Sequence, residues 1–198
     1  MASYDYKEEQ RKYLERLEAY IAEYEDKNKF LLIWFEIYHR DINKIKQRIK
    51  DDPSLIYAVS LDTGRSLLKI ALRYSRKHII TYLLSKMEYD VVSPKSSMTS
   101  LMYAITHTNS YLIPLKLVQK FNNINQKDSD GDTALHLAIC KSYALFEHRM
   151  NLAEMLLENG ADPMIKNLED KTPLDYARLY INNSLAILLE RYVKSNDQ

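Results

Sequence analysis

One pattern recurs four times between residues 62 and 177: a hydroxyl residue, a leucine two positions later and an alanine three beyond that. The sets are Ser66, Leu68 and Ala71; Thr99, Leu101 and Ala104; Thr133, Leu135 and Ala138; Thr172, Leu174 and Ala177. The hydroxyl residues stand 33, 34 and 39 positions apart, so the last interval carries six extra residues. A second apolar run follows each set at a similar offset: Tyr82-Leu83-Leu84, Leu117-Val118, Met155-Leu156-Leu157 and Leu188-Leu189. A period of this length excludes most globular folds. A unit of two short helices cannot bury its apolar side alone, so units must stack. Stacking would place the four leucines in one row, each burial worth about 1.5–3 kcal/mol. The alanines would let neighbouring helices approach closely.

The residues around each hydroxyl read as a turn and a helix start. Gly64 and Gly131 stand two positions before Ser66 and Thr133, where a tight turn can need positive φ. Ser97 and Asp170 hold that place in the second and fourth units, so a weaker turn is expected there. Ser66, Thr99, Thr133 and Thr172 are expected N-caps, with Pro173 at the favoured next position. Gly160 marks the link after the third unit.

Three segments carry a resemblance: G-D-T-A-L-H-L-A at 131–138, L-L-E-N-G-A-D at 156–162 and T-P-L-D-Y-A at 172–177. They resemble the ankyrin-repeat family, whose period is about 33 residues with a T-P-L-H-x-A signature. The resemblance spans roughly residues 30 to 193. It implies an all-α solenoid of stacked helix-turn-helix units with short β-turn links and an additional N-terminal helix. The expected divisions are an amphipathic helix over 1–29, a capping repeat over 30–61, and repeats over 62–94, 95–128 and 129–167. A capping repeat and tail over 168–198 complete the chain. The resemblance also implies that His136 bonds Thr133 and nearby backbone. Units one and two depart from the signature, with Lys69 and Met102 in the histidine's place.

The composition removes several function classes. Lysine and arginine total 28 against 27 aspartate and glutamate, which argues against a nucleic-acid or membrane-surface binder. One cysteine, Cys140, permits no internal disulfide and no cysteine-rich zinc site, so no metal is expected. Three glycines provide no phosphate-cradling loop, and no cofactor is expected. The longest apolar run, FLLIWF at 30–35, is too short to span a bilayer, and the amino terminus lacks a secretory core. A cytoplasmic protein is expected. Its richness in lysine, isoleucine, asparagine and tyrosine suits an AT-rich genome; the resemblance fits both host proteins and those that intracellular bacteria sometimes deliver into host cytosol.

The resemblance implies a protein-binding module rather than an enzyme, with a protein partner of unspecified identity. Family contact positions, the turn tips and the exposed ends of first helices, map onto Arg65, Arg73, Tyr74, Met98, His107, Asp130, Asp132 and Lys141. Tyr143, in the insertion, joins them. Residues 5 to 27 read as one charged helix with Tyr13, Leu14, Leu17, Tyr20, Ile21 and Tyr24 on one face. That face is expected to cover the end of the stack, or else to bind a partner or join two copies in a homodimer. The insertion is expected within residues 141–150, as a helix extension or a working loop. The enzymatic alternative places Cys140, Glu147 and His148 around it, or pairs Cys140 with His136.

Overall fold

The computed structural model describes residues 29–60, 63–140, 146–179 and 183–196. The amphipathic helix expected over 5–27 lies outside them. Five helix pairs follow in order. The capping pair is α1 (Lys29–His39) and α2 (Ile42–Asp51), closed by a 3-10 turn at Pro53–Tyr57. The repeats are α3 (Leu67–Arg73) with α4 (Lys77–Lys86), and α5 (Ser100–His107) with α6 (Leu112–Lys120). Next come α7 (Ala134–Cys140) with α8 (Phe146–Glu158), then α9 (Pro173–Arg178) with α10 (Ser184–Asn196). Among the described residues the β structure is one isolated bridge, Val59 to Ser66.

First helices stack on first helices. Helix α1 packs on α3, α3 on α5, α5 on α7 and α7 on α9, while each also packs on the second helix of its own unit. Leu68, Leu101, Leu135 and Leu174 are all buried, as are Ala71, Ala104, Ala138 and Ala177. This is the shared seam that the repeat requires. In the capping unit Ile33 and Ile37 are fully buried, but Glu36 sits among them and is held by Arg48 of α2 at 2.6 Å.

The helix starts follow from the hydroxyl residues. Ser66 Oγ accepts from the Lys69 amide, Thr99 Oγ1 from Met102 and Thr172 Oγ1 from Asp175. The turns before them share one conformation. Gly64, Ser97, Gly131 and Asp170 have φ of 64°, 52°, 78° and 59°. Ser97 and Asp170 therefore do not abandon the turn, contrary to the expectation from their side chains. The turn is over-determined by its own bonds: the Ser97 amide donates to the Ser93 carbonyl, and the Asp170 amide to that of Asn167.

Neighbouring turns are then tied together. The Ser129 amide donates to the Ser96 carbonyl and the Leu168 amide to the Asp130 carbonyl. At Gly131 an added Cβ would lie 2.7 Å from the Leu168 nitrogen, so glycine is demanded by the next turn as well as by φ. Helix α8 runs 13 residues, as does α10, against 10 for α4 and 9 for α6. Residues 141–145, with Lys141 and Tyr143, lie outside the described residues.

Candidate interaction surface

The position three residues after each helix-opening hydroxyl residue bonds within its own unit and, in units one and three, also grips the next one. In unit three this is His136, fully buried. Its Nδ1 accepts from the Thr133 amide at 3.0 Å and lies 2.9 Å from Thr133 Oγ1. Its Nε2 meets the Lys171 carbonyl of the following unit at 3.1 Å, which assigns the proton to Nε2. Burial lowers its pKa, against the Lys171 carbonyl, which raises it, so the ring is held neutral. Both ring nitrogens are engaged, leaving neither to activate Cys140.

The other units place different chemistry at the same spot. Lys69 is 1% exposed, and its ammonium donates to the carbonyls of Val91 and Met98. Met98 precedes Thr99 as Lys171 precedes Thr172, so lysine reaches the same carbonyl that the histidine does. Desolvation lowers the Lys69 pKa to about 8, with Asp90 opposing. In unit two the Thr99 amide points at Met102 Sδ at 3.4 Å. In unit four Asp175 accepts from both the amide and the hydroxyl of Thr172, completing a capping box.

These joints fix the starts of the first helices, and the contact positions that the resemblance implies flank them, at the turns before and at the far ends. Arg73 and His107 are exposed at the ends of α3 and α5, and Arg65 is half-buried at the turn before α3. His107 stacks on Tyr103 with centroids 3.9 Å apart and the rings nearly parallel. Burial lowers its pKa first, the Tyr103 carbonyl raises it, and the Arg73 and Arg65 charges lower it further. Those two arginines therefore share one field with His107. Met98 and Tyr74 are half-buried against the core.

Tyr74 belongs to an aromatic group that the repeat pattern did not point to. Its ring meets Tyr38 edge-on at 5.3 Å and Trp34 at 6.4 Å, while Trp34 and Tyr38 stack at 5.9 Å. Trp34 and Tyr38 lie on α1, which has no hydroxyl-leucine-alanine set to align. The available signal was position: Ile33 and Glu36 stand 35 residues before Leu68 and Ala71.

At the other end, Asp130 is exposed at its turn tip, but Asp132 is 7% exposed and accepts from the Asn167 amide group at 2.8 Å. Asp132 thus belongs to the joint between units three and four rather than to the outer surface. Asp128, Asp130 and Asp132 bring carboxylate oxygens within 4.8 Å. Asp128 Oδ1 accepts from the amides of Asp130 and Asp132, so this clustering comes from the way the turn is bonded. Cys140 is half-buried at the end of α7, and Glu147 and His148 lie in the first turn of α8.

Comparison with known proteins places these features. A family model described as Ankyrin repeats (3 copies) matches residues 96–167. An ankyrin repeat-containing protein of Saccharomyces cerevisiae is 42% identical over 50 residues, covering 25% of this chain and 28% of that protein. NF-kappa-B inhibitor zeta of Homo sapiens is 35% identical over 82 residues, covering 40% of this chain and 11% of that protein. The crystal structure of the ankyrin repeat domain of Bcl-3, described as a unique member of the IkappaB protein family, superposes with a TM-score of 0.54. It is 26% identical, covering 64% of this chain and 52% of that one. The matched stretches thus span under a third of these two curated relatives.

Proposed function

This chain belongs to the ankyrin-repeat family, and from that premise we propose that it is an adaptor which binds a partner protein through the first-helix and turn face of its stack. The observation that carries the reading is the contiguous surface across three successive units. Trp34 and Tyr38 of α1, Arg73 and Tyr74 at the end of α3, and His107 at the end of α5 lie side by side along the seam. Aromatic and arginine side chains are the usual energetic centres of protein interfaces. Their spread over three units suits an extended partner better than a small substrate. Ankyrin-repeat proteins are generally binding modules without chemistry of their own. The engagement of both His136 nitrogens within the fold supports that reading here.

The test uses exposed positions, so that folding is spared. Tyr38→Ala, Arg73→Glu and His107→Glu together should abolish capture of the partner from a native lysate while the helical melting curve is retained. Undiminished capture by this triple variant would move the binding surface elsewhere.

A further inference from the structure

We propose that the pocket at the helix-helix turns of the capping unit and first repeat, lined by Arg40, Arg76, Lys77 and His78, binds a phosphorylated side chain of a protein. It lies where first helices hand over to second helices, and it does not depend on the face proposed above. The two turns are built alike. The Asp41 amide donates to the Glu36 carbonyl at 2.9 Å and the Arg76 amide to that of Ala71 at 3.0 Å. Arg40 and Ser75 precede them with φ of 65° and 52°. The pocket between them is completed by Ile42, Ser75 and Ile79.

The chemistry of the two helix starts is opposite. Asp41 caps α2, its carboxylate accepting from the Lys44 amide. The equivalent place before α4 is held by Arg76, with no side-chain cap and no acid in the first turn, and Lys77 and His78 follow. Two cations and an imidazole thus crowd the positive end of a helix, where anions are favoured. Such breaks of a local rule concentrate at functional sites. None of the four lining side chains forms an ion pair with a carboxylate among the described residues.

The site is also held ready. Arg76 Nε donates to the Ile37 carbonyl at 3.3 Å and its NH2 to that of Tyr38 at 2.7 Å. Its guanidinium lies 5.9 Å from the Tyr74 ring centre. Arg40 is close enough that its charge lowers the pKa of Arg76, second to desolvation. Two guanidiniums, an ammonium and an imidazole facing one pocket match a dianion better than a single carboxylate. Phosphate supplies tetrahedral oxygens for guanidinium forks and a second charge.

The test is an amide-shift titration of the isotope-labelled full chain with an acetylated, amidated Ala-Gly-phosphoserine-Gly-Ala peptide. Its serine and glutamate counterparts serve as controls. The phosphopeptide should shift residues 40–42 and 75–79, with the glutamate peptide at least tenfold weaker and the serine peptide inert. Arg40→Gly, which suits positive φ, combined with Lys77→Gln should weaken binding at least tenfold without lowering the melting temperature. Equal affinity for the glutamate peptide, absence of shifts, or indifference to the double variant would overturn the proposal. Sedimentation with phosphatidylcholine vesicles containing phosphatidylinositol bisphosphate, without phosphopeptide binding, would overturn it in favour of a lipid headgroup.

Discussion

The Lys69 ammonium donates to the carbonyl of Met98, the residue immediately before the N-cap Thr99 of the next unit. His136 Nε2 holds the corresponding carbonyl, Lys171, before the N-cap Thr172. One inter-unit bond is therefore preserved through an exchange of imidazole for ammonium. The exchange carries a cost that the histidine avoids, because a cation is now buried with only carbonyls in direct contact.

That cost is visible in pH dependence. The Lys69 pKa falls from its ordinary 10.5 to about 8 in the fold. Between those values the unfolded chain binds the proton and the folded chain does not, so stability rises with pH. Below pH 8 both states are protonated and the penalty is fully present. Urea unfolding should show a gain on the order of 2 kcal/mol between pH 8 and 10. Lys69→Met, which borrows the residue of unit two, should remove that slope. An unchanged slope in the variant would assign it to other groups.

His136→Ala removes the acceptor for the Thr133 amide and the donor to the Lys171 carbonyl. Orphaned buried groups cost about 1–3 kcal/mol each, and a cavity adds to this. A loss of roughly 3 kcal/mol or more is expected in chemical denaturation. The lowered His136 pKa also gives a sign: its contribution is present above pH 6.5 and declines as acid protonates the unfolded chain first. The wild type should lose stability below pH 6.5 more steeply than His136→Gln.

Gly131 and Gly160 both have positive φ, at 78° and 90°, yet they differ in surroundings. A Cβ at Gly131 meets the Leu168 backbone, whereas at Gly160 it meets nothing within 4 Å. Gly160→Ala should cost about 1–2 kcal/mol, the price of left-handed backbone alone. Gly131→Ala should cost clearly more, since backbone must move. Equal melting temperatures for the two variants would contradict the turn-to-turn packing.

Ser97 adopts the same left-handed turn at φ 52° without being glycine. Ser97→Gly should therefore leave stability unchanged or raise it by up to about 1 kcal/mol, relief of strain being offset by unfolded-state entropy. A marked loss of stability in thermal melts would show that the serine hydroxyl has a role the backbone geometry does not reveal.

The sequence made the array legible because Leu68, Leu101, Leu135 and Leu174 must recur in register for any unit to be buried. It also announced His136, since histidine in an apolar run needs local partners. It could not disclose the Trp34, Tyr38 and Tyr74 group. Among the described residues the capping unit packs on a repeat at one side, and its first helix has Glu36 where the repeats place alanine. Nor could it tell that Lys69 would reach across to Met98, because a lysine in an apolar stretch reads as a departure until the carbonyls are seen. Asp132 is hidden for a related reason: it stands at a turn tip, and Asn167 covers it.

Amide hydrogen exchange of the chain alone and saturated with its captured protein partner is the most direct measurement of where binding occurs. The expected result is new protection over residues 34–39, 63–74 and 96–107, the first-helix ends and turns, with the second helices α4, α6 and α8 unchanged. Protection confined to those second helices would contradict a binding face along the seam.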